Sequence, residues 1–298
     1  MDRKLRRPGF WGGVLLVLLA LGLQLALAIP LGIIDVVVEQ GLHRPSPQLE
    51  RQPLIIGFVN IVAIGVPIVL GLRLNRLSFR SAFAFPRPTA FQVASVALTV
   101  LGACVLLSEA DNVFRSFLRP PQWLQKAMKD LFFTEGKVLS QIFLLVIVAP
   151  VTEELLFRGL ILRGLLSRYR PAVAALLTSL LFAALHVNPW QFLSAFFLGI
   201  VLAWFYLRTG SVLVCVIGHA IANALMLLCS LVSWNIPGLT GTPDYSVTVF
   251  QPVWVDISGL VLFVLGLWSF HRATDHDFKI ADEPPQTDGQ ITDSTPPT

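Results

Sequence analysis

The chain has 298 residues, 55% of them hydrophobic and only 13% charged, with a mean hydropathy of +0.72. Apolar runs this long and numerous exceed what one soluble core can bury, which excludes a soluble globular enzyme and points to a polytopic membrane protein. The pI near 9.2 would suit a nucleic-acid binder, but the basic residues flank apolar runs instead of forming a separate soluble face, so nucleic acid is excluded as a partner.

Crossing a hydrocarbon layer of about 30 Å takes about 20 residues of helix, and backbone groups inside it find partners within their own helix. The fold class is therefore all-α, a polytopic membrane helix bundle of about eight transmembrane helices, at residues 10–34, 54–72, 90–108, 138–166, 171–187, 190–207, 211–232 and 251–270. The first run begins basic and holds Ala26, Leu27 and Ala28, as a signal peptide would. It continues through Ile34, too long for the apolar core of a signal, and is read as a retained span.

Residues 1–137 form an N-terminal region of three spans with an interfacial amphipathic helix near 122–133, introduced by Pro120 and Pro121. In that helix Trp123, Leu124, Ala127, Met128, Leu131 and Phe132 share one face, and Lys126, Lys129 and Asp130 the other. Residues 138–232 are the core that holds the polar intrusions, and 233–272 the last loop and span. The polar, proline-rich tail 273–298 cannot bury enough apolar area to offset its ordering entropy and is expected to be disordered. Cys104, Cys215 and Cys229 lie inside apolar runs without metal-ligand spacing and read as small packing residues.

With the N-terminus in the cytoplasm, 15 of the 22 Lys and Arg fall on the cytoplasmic side, and five of the other seven share the mixed-charge stretch 109–137. Both termini are expected to be cytoplasmic, and the cell membrane is the expected location.

Charge at mid-bilayer costs at least about 2.5–3.5 kcal/mol per residue, so charged residues inside spans are functional candidates. Three clusters of polar residues stand out: Glu153, Glu154 and Arg158 on the fourth span, His186 at the end of the fifth, and His219 with Asn223 on the seventh. Glu154 and Arg158 are i,i+4 partners that can neutralise one another, which leaves Glu153, on the stripe of Phe157, as the candidate general base. If the turn between the fourth and fifth spans is centred between Tyr169 and Arg170, Glu153 and His186 lie at equal depth and can face each other. His219 and Asn223 are one turn apart, and Gly218 and Ala222 keep that helix thin.

Plainer readings exist for each group. A histidine at a span end can be interfacial or bonded to backbone, and His219 with Asn223 can be interhelical glue worth about 0.6 kcal/mol per bond. A structural salt bridge accounts for Glu154 and Arg158 but leaves Glu153 unexplained.

The same residues resemble a family. Glu153, Glu154 and Arg158 match E-E-x-x-x-R, Phe182 and His186 match F-x-x-x-H, and His219 and Asn223 match H-x-x-x-N. These are the three signatures of the CPBP family of intramembrane proteases, which includes the CAAX prenyl endopeptidases. The resemblance covers about residues 138–232, with the motifs in the family's order on three apolar spans.

It implies endopeptidase activity in the membrane. Glu153 would activate a water, His186, His219 and Asn223 would hold the reacting carbonyl, Glu154 would orient the water or pair with Arg158, and Phe182 and Arg158 would give structural support. Family members are described both as metalloproteases and as metal-free glutamate-dependent enzymes. The chain has no H-E-x-x-H or other local zinc spacing, so no cofactor is expected and zinc stands as the alternative. The implied substrate is a peptide or protein at the membrane, lipidated or not. Two other readings stay open: a proton- or ion-coupled transporter using a Glu/His relay, and a catalytically idle scaffold or immunity protein that binds peptides.

Overall fold

The computed structural model describes residues 7–45, 48–49, 52–132, 137–232, 235–240 and 247–275, and among these residues the regular structure is helical, without strands. The helices are α1 Phe10–Val36, α2 Pro53–Leu74, α3 Ala90–Phe117, α4 Gln122–Phe132, α5 Val138–Leu166, α6 Pro171–Leu185, α7 Pro189–Thr209, α8 Val212–Leu231 and α9 Val253–Ala273, with a short turn at Phe79–Ala82.

Local chemistry sets many of these ends. Pro53, Pro171 and Pro189 occupy the first helical positions of α2, α6 and α7, where a missing N–H costs nothing. Thr89 and Gln92 cap α3 reciprocally. α7 closes on Gly210 at φ +64°, a left-handed position that suits glycine.

Among the described residues, seven helices are long and apolar enough to cross a bilayer. The eighth expected span, α6, is only 15 residues long. At 1.5 Å per residue it covers about 22 Å, less than the hydrocarbon thickness, so its end at His186 stays within the bundle.

α3 runs nine residues past its expected end, to Phe117. Its last turns carry charge that is paired locally and across the bundle. Asp111 pairs with Arg115 at 2.5 Å, Asn112 donates to Glu109 at 3.0 Å, and Glu109 also accepts from the Gln251 backbone at 2.9 Å.

The amphipathic helix is present as α4, and position 133 of its expected range lies outside the described residues. The expected tail begins too early. Arg208 binds the Thr274 hydroxyl at 2.9 Å and the Asp275 carboxylate at 2.8 Å, fastening α9 to α7, and this hydrogen bond holds the Asp275 carboxyl below its ordinary range. Residues 276–298 lie outside the described part.

Long-range bonds define two opposite faces. On one, Arg163 donates to the Ala82 carbonyl (2.6 Å), Arg168 to that of Arg7 (3.2 Å) and Ser211 to that of Pro86 (2.8 Å). On the other, Trp190 donates to the Leu118 carbonyl (2.6 Å), and Ser108 and Asn112 to that of Gly238 (3.1 and 2.9 Å).

α9 lies against α3 with backbones in near contact. A Cβ at Gly102 would stand 2.3 Å from the Phe263 nitrogen, and one at Gly266 would stand 2.3 Å from the Thr99 nitrogen. Gly102→Ala is therefore expected to push the helices apart and cost about 1–3 kcal/mol, read as a lower thermal midpoint and lower membrane abundance. Gly22→Ala, at a position with nothing within 4 Å, is the matched control. Equal midpoints for the two variants would contradict this packing account.

Candidate active site

α5 is not a regular helix. Two π-helical segments, Ile142–Val148 and Leu155–Leu162, bracket a six-residue α-helical piece, Ala149–Glu154, that carries both glutamates. Pro150 within that piece has no N–H to give to the preceding turn, and wider turns accommodate such interruptions. Each π insertion rotates the residues that follow it, so the aim of Glu153, Glu154 and Arg158 differs from that of a uniform helix.

Glu154 and Arg158 are both fully buried. Glu154 Oε1 accepts from Arg158 Nη1 at 2.9 Å, the pairing that the spacing predicts. The same oxygen lies 2.8 Å from His219 Nδ1, a contact across 65 positions of sequence. Arg158 Nη2 donates to the Gly199 carbonyl at 2.9 Å, and its guanidinium sits 4.8 Å from the centre of the Phe182 ring. The Phe182 ring in turn meets Phe157, His186 and His219 edge-on at 5.2, 5.2 and 5.6 Å. One buried cluster thus links α5, α6, α7 and α8.

The hydrogen bonds constrain the imidazoles. A carboxylate and a carbonyl can only accept, so Nδ1 of His219, facing Glu154, and Nδ1 of His186, 3.0 Å from the Phe182 carbonyl, each carry the proton. Only Nε2 of each ring remains for a ligand. In the neutral ring it accepts, so a histidine that donates to an oxyanion here has to be protonated on both nitrogens. Asn223 donates from Nδ2 to the Leu145 carbonyl in the first π segment at 2.8 Å, and its amide has a second N–H. The plainer readings of backbone bonding for His186 and interhelical bonding for His219 and Asn223 are therefore met in part.

A cavity of about 350 Å³, within the range of small-ligand sites, brings Phe182, His186, His219 and Asn223 to one wall. Glu153 is 8% exposed, its Oε2 has no hydrogen-bond partner, and it is not among the residues lining this cavity. The wall thus brings together both histidines and the asparagine, with Glu154 joined to them through His219, whereas Glu153, expected to face His186, is not on it.

Sequence reasoning missed part of the wall. Asn188, Trp190 and Gln191 at the start of α7 line it, as do the Asp111–Arg115 pair and Cys104, Met226 and Cys229. The Asn-Pro-Trp stretch was visible as a helix start, with Asn188 capping the Trp190 N–H at 3.1 Å. Val187, at φ +47°, makes the reversal between His186 and that cap, a backbone strain of about 1–3 kcal/mol of the kind found at functional sites. Among the described residues, no three His, Cys, Asp or Glu side chains gather to hold a metal ion.

The fold and this cluster define a multi-pass membrane protein with a buried Glu-Arg-His centre of the CPBP pattern. Residues 135–225 match the family model described as type II CAAX prenyl endopeptidase Rce1-like, so the chain carries an Rce1-like domain there and agrees with the resemblance drawn from its motifs. The chain is 36% identical over 144 residues to an uncharacterized 24.3 kDa protein of Escherichia coli, covering 47% of this chain and 60% of that protein. It is 32% identical over 87 residues to the UPF0177 protein YxdF of Lactococcus lactis subsp. lactis, covering 29% of this chain and 48% of that one. The chain thus spans between about half and three fifths of the curated relatives it matches. No solved structure matches it.

Proposed function

We propose that the protein is an intramembrane endopeptidase of the CAAX prenyl protease type, in which Glu153 activates a water. The observation that carries this reading is the buried Glu154–Arg158–His219 cluster opening through His219 onto a cavity shared with His186 and Asn223, within the stretch that matches the Rce1-like family.

In this mechanism the peptide carbonyl enters the cavity against Asn223 and His219. Water attacks the carbonyl carbon as Glu153 takes its proton, with His186 Nε2 accepting the water's second hydrogen bond. The oxyanion meets the free Asn223 N–H and, when His219 is doubly protonated, its Nε2–H. The C–N bond then breaks as Glu153 passes its proton to the leaving amine. Glu153 is off the cavity wall without substrate, and catalytic contacts that are long in the free enzyme often tighten in the complex. Comparing membrane fractions that hold wild-type protein with fractions that hold Glu153→Ala is expected to show uncut precursors accumulating in the variant. Identical peptide profiles would favour the scaffold reading, and substrate flux across sealed vesicles the transporter.

The reaction is expected to need no resident metal, because Glu154 Oε1 is committed to Arg158 and His219 and side chains supply both the base and the oxyanion donors of this mechanism. Purified protein should keep its cleavage activity after exhaustive chelation and contain no stoichiometric zinc. Activity lost on chelation and restored by zinc would make it a metalloprotease.

A further inference from the structure

We infer that the site is loaded from the non-cytoplasmic face and that its substrate is a peptide segment exposed on that side of the membrane; this rests on the endopeptidase reading above. The cavity has a direction. Its floor is formed by buried Phe182, His219, Ala195 and Ala222, each at most 5% exposed. Its upper wall is formed by partly exposed Asp111, Arg115, Leu124, Gln125, Trp190 and Ser230.

These upper residues belong to the end of α3, the start of α4 and α7, and the end of α8. That is the face joined by the Trp190–Leu118 and Asn112–Gly238 bonds. Toward the opposite face the bundle is filled, since Phe157, Arg158, Leu202, Phe205 and Cys215 are all 0% exposed.

Charge then orients the two faces. The filled face carries Arg73, Arg76, Arg80, Arg87, Arg163 and Arg168 near its loops, whereas the cavity face mixes signs and neutralises Arg115 with Asp111. Basic loops stay in the cytoplasm, which puts the cavity mouth on the other side. A peptide presented from the cytoplasm would meet the filled end. The walls suit a peptide, because Ser108, Asn188, Gln191 and Ser194 can pair with a backbone while Leu107, Leu198 and Leu225 accept apolar groups.

The test separates orientation from catalysis. In a background with Cys104, Cys215 and Cys229 replaced by alanine, Ser230→Cys or Gln191→Cys reports the cavity mouth and Arg80→Cys the opposite face. A membrane-impermeant sulfonated maleimide added to spheroplasts is expected to label Ser230→Cys at least tenfold more than Arg80→Cys, with Arg80→Cys reacting only after permeabilisation. The reverse pattern overturns the inference whatever the protein catalyses. If Ser230→Cys does not accumulate, Gln191→Cys carries the same comparison. Wild-type protein in right-side-out and inverted vesicles is then given an impermeant quenched peptide library without lipid. Cleavage confined to right-side-out vesicles supports the proposal, and cleavage confined to inverted vesicles overturns it. No cleavage in either, with labelling as expected, counts against the endopeptidase reading instead.

Discussion

Replacing Glu153 by glutamine is expected to lower peptide cleavage about 10²–10⁴-fold, the contribution of one general base, while membrane abundance stays near wild type. Glutamine keeps the volume and an acceptor oxygen but cannot take a proton at the attack step. The structure explains why folding should tolerate the change. Glu153 is outside the Glu154–Arg158–His219 cluster, and its Oε2 makes no hydrogen bond that the amide would lose. A neutral side chain at a buried position also removes a desolvation cost, so abundance that holds steady or rises fits the assignment. The assay has to report turnover and protein level together, because a lost fold imitates a lost base. Wild-type turnover by a well-expressed Glu153→Gln would remove Glu153 from the mechanism and pass the role to the carboxylate of Glu154 or to His186 Nε2.

How much of this site could be read in advance depends on the range of each interaction. The Glu154–Arg158 pair was legible because both residues belong to one helix and helical spacing alone brings them together. The third member, His219, was legible as a functional candidate but not as the partner of Glu154, since no local rule joins positions 65 apart. The Gly199 carbonyl that takes Arg158 Nη2 leaves no mark in side-chain chemistry at all. Periodicity also assumes a uniform helix, and the two π segments of α5 break that assumption on both sides of the glutamates. The depth match between Glu153 and His186 presumes a uniform rise, which the π segment Leu155–Leu162, between Glu153 and the turn, does not have.

Helix ends show the same division. Pro189 made the start of α7 readable, because the residue before a proline is driven out of helical geometry. The end of α3 was not readable, because Glu109 and Asn112 are satisfied by Gln251 and Gly238 from a distant part of the chain.

Arg158 is where the largest loss of stability is expected. Its guanidinium is wholly buried, bonds both Glu154 and the Gly199 carbonyl, and rests on the Phe182 ring. In Arg158→Met the apolar side chain fills much of the volume, but the Glu154 carboxylate loses its cation and keeps only His219 Nδ1, and the Gly199 carbonyl loses its side-chain donor. Breaking one partner of a buried ion pair costs about 3–5 kcal/mol, more than the pair contributes over a neutral replacement of both. Membrane abundance and thermal midpoint should therefore fall together, and activity should follow abundance instead of falling at constant abundance as in Glu153→Gln. Arg158→Lys should be intermediate, because an ammonium keeps the charge but lacks the planar fork that reaches two acceptors and lies over a ring. The double variant Glu154→Gln/Arg158→Met is the decisive comparison. It removes the orphaned charge and should recover abundance relative to Arg158→Met, while activity stays low because His219 has lost the carboxylate that fixes its ring. Wild-type abundance and midpoint in Arg158→Met, or a double variant less stable than the single one, would show that the buried pair does not hold these helices together.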